Sequence, residues 1–271
     1  MKKRIMAAAV LVPLLLFMLF ALPKWVTAVA LSLVSALAAY ELLYNTGFVR
    51  HVRLVAYSVI LAAIVPIWCH LGQNDLWAKL GILIFFLLLF MEMILSGMRL
   101  KFEKASVCVF GALLIPYLLS SVGRIMDTEV GRYVILVPFV IAFLSDSGAY
   151  FIGCRFGKHK MSPVISPNKS VEGLLGGIAV STLGMLAYVA IMQLIFKCQV
   201  NYGYALVYGI VGSLAGTFGD LCFSLIKRQT GVKDFGTLIP GHGGALDRFD
   251  SMLVVAPLVE LLMAVFPVVV K

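Results

Sequence analysis

Between Gly219 and Asp250 the chain reads GDLCFSLIKRQTGVKDFGTLIPGHGGALDRFD. Nine polar side chains, Asp220, Lys227, Arg228, Lys233, Asp234, His242, Asp247, Arg248 and Asp250, fall within 31 consecutive residues of an otherwise apolar protein. Carboxylates interleaved with lysine and arginine suit a site that holds phosphates through metal ions and direct charge pairing. Gly241, Gly243 and Gly244 flank His242, so the backbone there can turn with positive φ and bring its N–H groups to an anion. Taken singly these residues have plainer uses: juxtamembrane lysine and arginine set topology, Gly-Gly makes loops, and aspartate caps helices. A loop needed only for solubility has no use for all of them in this order.

A second polar stretch, SDSGAYFIGCRFGKHKMSPVISPNKSVEGLLGG, runs from Ser145 to Gly177. Asp146 lies inside an apolar run, and Lys158, His159, Lys160 and Lys169 follow in a loop broken by Pro163 and Pro167. Proline disfavours helix in the residue before it, and Ser166 or Ser170 can cap the apolar run that follows.

Together the two stretches resemble the phosphatidate cytidylyltransferases (CDP-diacylglycerol synthases). The first carries S-x-x-K-R-x-x-x-x-K-D-x-x-x-x-x-P-x-H-G-G-x-x-D-R-x-D on Ser224, Lys227, Arg228, Lys233, Asp234, Pro240, His242, Gly243, Gly244, Asp247, Arg248 and Asp250. The second carries S-D-x-x-A-Y at Ser145 to Tyr150, F-G-K-H-K at Phe156 to Lys160, and I-S-P-x-K-S-x-E-G at Ile165 to Gly173. Many relatives have Thr and Trp where this chain has Ser170 and Val171, and Glu in place of Phe223. Ser170 keeps the hydroxyl, whereas Phe223 supplies no carboxylate.

The resemblance implies that CTP and phosphatidate react to CDP-diacylglycerol and pyrophosphate. The attacking lipid phosphate is already ionised, so no general base is obligatory, and the task is to bring two anions together. On this reading Asp220 and Asp247, then Asp146 and Asp250, are the expected Mg²⁺ ligands, because Mg²⁺ takes few carboxylates and leaves room for phosphate oxygens. The family adds the expectation of a second cation such as K⁺. Lys169, Lys227, Arg228, Lys233 and Arg248 would hold triphosphate, pyrophosphate or the lipid headgroup. Ser166 and Ser224 join them in substrate binding, and His242 with Gly243 and Gly244 would shape a backbone anion site. A CTP-dependent polyprenol kinase has a related end motif, and a transporter also buries acids, but a transporter leaves the H-G-G-x-x-D-R-x-D string unexplained. There is no G-x-x-x-x-G-K-[ST] loop.

The elements that must position these residues are membrane helices. With 62% hydrophobic residues, 13% charged and a mean hydropathy of +1.02, the 271-residue chain is expected to be an all-α, polytopic helical bundle in one integral membrane domain, its motif-bearing half at about 133–271. Nine apolar runs are long enough to cross a bilayer: 5–22, 25–44, 54–71, 77–96, 105–121, 133–152, 173–196, 204–226 and 252–270. The first, behind Lys2, Lys3 and Arg4, resembles a signal peptide, but cleavage near Ala28-Val29-Ala30 would leave the second run too short to span. With the N-terminus inside, cytoplasmic segments hold 16 of the 22 lysines and arginines, which predicts N-in, C-out, a multi-pass cell-membrane protein and a cytoplasmic site. The net charge of +9 lies in short clusters between apolar runs, which argues for membrane topology and against nucleic acid. A homodimer is compatible with this architecture. Glu41, Glu92, Asp146 and Asp220 precede cytoplasmic basic residues by seven to nine positions, or roughly 10–14 Å along a helix, so a polar funnel is expected there, the alternative for Glu41 and Glu92 being that they only bond neighbouring helices or snorkel. Gly209, Gly212, Gly216 and Gly219 form a stripe suited to close helix packing. The five cysteines show no C-x-x-C pair and read as packing residues.

Overall fold

A computed structural model describes residues 13–72, 75–97, 99–237 and 243–270. The described residues are mostly helical, with two short antiparallel strand pairings. Seven helices are long and apolar enough to cross a membrane: α1 and the turn after it (Lys24–Asn45), α2 (Val52–Leu71), α3 (Leu76–Leu95), α4 (Phe102–Asp127), α5 (Gly131–Phe156), α6 (Val171–Phe196) and α7 (Tyr202–Gln229). The expected first run, 5–22, falls largely outside the described residues, and its 13–21 portion is helical.

The expected ninth span, 252–270, is shorter than its apolar run. After α8 (Leu246–Phe249) comes α9, Met252–Val265, only 14 residues and therefore about 21 Å long, against a hydrocarbon core of roughly 30 Å. Pro267 pushes Phe266 out of the helical region (φ −129°, ψ 72°), as expected for a residue before proline. Val269–Val270 then pairs antiparallel with Gln199–Val200.

The residues gather into two compact units, one containing the chain up to Arg124 with Gln229–Arg248, the other Ile125–Arg228 with the chain from Phe249 onward. The 229–248 stretch thus groups with the N-terminal helices. In the first unit α1 packs on α2, and α2 on α3 and α4. Leu43, Leu54, Leu61, Phe85, Leu89 and Cys108 are among its core residues. One π turn, Glu41–Asn45, extends α1, and a second, Phe110–Leu114, interrupts α4. The outward side chains of α3, Leu83, Phe86 and Leu87 among them, are exposed, as a lipid-facing helix requires.

In the second unit α5 and α6 pack along their length, allowed by small residues. A Cβ on Gly148 would meet the Gly176 carbonyl at 2.8 Å, and one on Gly177 the Ser145 carbonyl at 2.9 Å. The glycine stripe of α7 serves close packing as expected: Gly209 abuts Thr182, Gly212 abuts Ile141, Gly216 faces Val255, and Gly219 meets the Asp250 carbonyl. Ser170, of the two capping candidates, is the N-cap of α6, its hydroxyl accepting from Gly173 N–H at 3.1 Å. The proline-broken loop before it forms a small hairpin, Lys160–Ser162 against Ser166–Ser170.

Candidate functional site

In the second unit the charged residues converge where the C-terminal half of α7 meets the hairpin and the chain entering α9. Lys169, at the end of the hairpin, places Nζ 2.6 Å from Asp220 Oδ2 and donates to the Thr217 carbonyl at 3.4 Å. Ser224, one turn along α7, donates to Asp220 Oδ1 at 3.1 Å. Asp250, between α7 and α9, has its carboxyl pushed up to about 7, first by burial and then by the charges of Asp220 and Asp146, with Lys227 opposing them. These four groups therefore share one electrostatic neighbourhood. Lys227 is buried, an uncommon place for an ammonium unless charge balances it. Arg228 donates from Nε to the Ile165 carbonyl at 3.1 Å, which ties the hairpin to α7. Glu172 secures its other side, accepting from the N–H groups of Lys158 and His159 and lying 2.6 Å from His159 Nδ1. Ser166 is half-buried on the hairpin and Asp146 is exposed on α5.

In the first unit the described remainder of the motif is held by hydrogen bonds to its backbone. Asp247 is buried, and its Oδ2 accepts from Phe235 N–H at 2.8 Å and Gly244 N–H at 3.0 Å. Gly243 has φ +84° and lies against the Asp247 side chain, so a side chain there would be strained as well as crowded. Lys233, Asp234 and Arg248 are exposed. His242, with the backbone anion site expected around it, lies outside the described residues. At Gly244 that expectation needs correction. Its N–H is taken by Asp247, and the next two, of Ala245 and Leu246, are taken by Glu41. The chain's own carboxylates occupy these donors because an enclosed N–H left unpaired is costly.

The chain is similar in sequence to known proteins over almost all of its length. The profile described as "Cytidylyltransferase family" matches residues 2–266. The chain belongs to the cytidylyltransferase family. Similar members include phosphatidate cytidylyltransferases of Staphylococcus epidermidis and Staphylococcus saprophyticus, each 34% identical, with 97% of this chain and 99% of the relative covered. One from Staphylococcus aureus is 39% identical over 63% of each chain.

For this cytidylyltransferase-family member, the donor set in the second unit fits a divalent cation. Asp220 and Asp250 are carboxylates whose mutual repulsion already raises one proton affinity, the situation a bound cation relieves. Asp146 is the third acid of that neighbourhood. Among the described residues no three His, Cys, Asp or Glu side chains converge as a complete metal cage. That suits an ion that takes one or two carboxylates and completes its shell with phosphate oxygens and water.

Two of the four acids expected to line a common funnel are engaged within the first unit instead. Glu92 pairs with Arg53 at 3.3 Å, accepts from the Tyr57 hydroxyl at 3.4 Å and lies 4.0 Å from His51. Glu41 accepts from Ala245 and Leu246 N–H at 3.0 and 2.9 Å. An acid in an apolar span must find partners, and these partners come from segments distant in sequence, which spacing alone does not reveal. Sequence reasoning assigned Glu41 no specific task and did not single out Asn45; the signal present was an isolated acid inside a span.

Proposed function

We propose that this protein transfers the cytidylyl group of CTP to phosphatidate. A phosphate oxygen of the lipid bonds to the α-phosphorus of CTP, the bond from that phosphorus to the bridging oxygen breaks, and pyrophosphate leaves with the electron pair. The observation that carries this reading is the Lys169–Asp220–Asp250–Lys227 neighbourhood, set in a chain that matches this family over residues 2–266.

Mg²⁺ held by Asp220 and Asp250, with Asp146 alongside, would neutralise phosphate charge during transfer. Lys169 and Lys227 supply positive charge beside those carboxylates, so incoming phosphates meet cations as well as acids. Arg228 steadies the hairpin that carries Lys169 and Ser166. Asp247 holds the backbone of Phe235 and Gly244, and the resemblance of its motif keeps it a further candidate ligand. A second cation such as K⁺ is part of the same proposal. The basic loops after α1, α3, α5 and α7 are placed on the cytoplasmic side, with the site, by the excess of lysine and arginine there.

Following the label in CTP tests the reaction. With purified protein and phosphatidate, label from the α-phosphate enters the lipid product and label from the γ-phosphate leaves as pyrophosphate. Label from the γ-phosphate in lipid, with a polyprenol present and phosphatidate absent, would mark a kinase instead.

A further inference from the structure

We infer that Glu41, together with Asn45, is a positioning residue for the cytidylyl transfer proposed above, on which this role rests, and that it acts through the Phe235–Asp247 loop without touching substrate. Glu41 is only 4% exposed, and both carboxylate oxygens are committed: Oε1 accepts from Ala245 N–H at 3.0 Å and Oε2 from Leu246 N–H at 2.9 Å. It opens the π turn Glu41–Asn45, a widened turn of the kind that often marks functional positions. Four residues on, Asn45 Nδ2 donates to the Phe235 carbonyl at 3.0 Å.

The same loop residue is therefore held from both sides. The Phe235 carbonyl is bonded to Asn45, and its N–H to Asp247 Oδ2, with the ring fully buried. The far end of the loop is held by Glu41 immediately before Asp247 and Arg248. The glycines confirm how closely the carboxylate is enclosed: a Cβ on either Gly236 or Gly244 would collide with the Glu41 carboxylate. Neither glycine has positive φ, so the requirement for a small residue comes from Glu41 itself. A span-borne acid thus serves as an internal anion for backbone donors of the signature loop, and with Asn45 it holds Phe235 and the Ala245–Leu246 backbone beside Asp247 and Arg248.

The test uses full-length purified protein carrying Glu41→Gln, Glu41→Ala, Asn45→Ala, Gly236→Ala or Gly236→Ala with Glu41→Ala. Three quantities are read: turnover per folded molecule, the KM for each substrate, and the rate of tryptic cleavage after the exposed Lys233. Gln keeps one acceptor but turns a donor toward the second N–H, so turnover falls by about 10-fold with Gln and further with Ala. The KM for CTP rises while that for phosphatidate holds, and cleavage after Lys233 accelerates in Glu41→Ala and Asn45→Ala. Gly236→Ala damages the otherwise wild-type protein but adds no more than about twofold once Glu41 is Ala, because the collision is gone. A purely structural role would lower thermal stability and the folded fraction with turnover per folded molecule unchanged, and that result overturns the inference. Unchanged cleavage after Lys233 overturns it as well. A wild-type protein without cytidylyl transfer overturns the reaction and the positioning role with it, whereas an active wild type with unaffected variants overturns the positioning role alone.

Discussion

The Lys169 ammonium lies 2.6 Å from the Asp220 carboxylate, with both side chains partly exposed, at 22% and 29%. A cation that uses Asp220 must compete with Lys169, and the displaced ammonium becomes available to phosphate. Replacing the lysine therefore has two opposite effects. Lys169→Met lowers turnover at least about 10-fold, yet lowers the Mg²⁺ concentration for half-maximal binding, by ~5-fold for a partly exposed pair. Magnesium titration by calorimetry, run beside the turnover assay, checks both signs.

Asp220 and Asp247 fail differently when altered. Asp220→Asn removes the charge that holds a cation and leaves Lys169 without its anion, so turnover falls by about 100-fold or more while the protein stays folded. Asp247→Ala strands the N–H groups of Phe235 and Gly244, at about 1–3 kcal/mol each, and lowers the melting temperature. Asp247→Asn keeps an acceptor for both donors and so separates loop-holding from ligation. Near-normal turnover in that variant would restrict Asp247 to the loop.

The raised Asp250 carboxyl gives a pH dependence with a definite sign. Its proton affinity in the folded protein is above the ordinary carboxylate value, at about 7, because of burial and Asp220. Without cation, the stabilisation from that proton is complete below about pH 4 and is lost as pH rises through 7. Melting temperature in chelator should therefore fall between pH 5 and 8, and Mg²⁺ should restore it most at the upper end. Apparent Mg²⁺ affinity weakens as pH drops from 8 to 6. A flat profile, or Asp250→Asn with the wild-type slope, removes Asp250 as its source.

Gly219 precedes Asp220 and packs on the backbone beside Asp250. An added Cβ would meet the Asp250 carbonyl at 2.8 Å and Val254 Cγ2 at 3.0 Å, and backbone cannot swing away as a flexible side chain can. Gly219→Ala should cost about 1–3 kcal/mol of stability and weaken Mg²⁺ binding through displaced Asp250. Thermal unfolding and cation titration of the variant read the two effects.

The proposed orientation is checked with thiols. Cys154 is exposed in the last turn of α5, whereas Cys198 is buried, so outer-face labelling needs Gln199→Cys, an exposed position after α6. A membrane-impermeant maleimide on intact cells should modify Gln199→Cys and reach Cys154 only after permeabilisation. The reverse pattern would invert the topology.

The sequence alone determined the membrane character, the seven described spans and the family, because apolar run length and a dozen spaced polar residues are local properties that survive without coordinates. It also predicted the close packing of the α7 glycine stripe, since small residues at three- and four-residue spacing admit a neighbour wherever that neighbour originates. Only tertiary structure decided that Lys169 pairs with Asp220, 51 positions apart in sequence, and that Asp250 lies in the field of Asp220. The same is true of Glu41, whose hydrogen-bond partners lie more than 200 residues away. The last apolar run, 252–270, looked like a span because composition measures hydrophobicity and not helix length; Pro267 ends the helix early. Hydrogen bonds and charge pairs between distant segments depend on which backbones the fold brings within about 3 Å, and residue spacing along one segment carries no record of that.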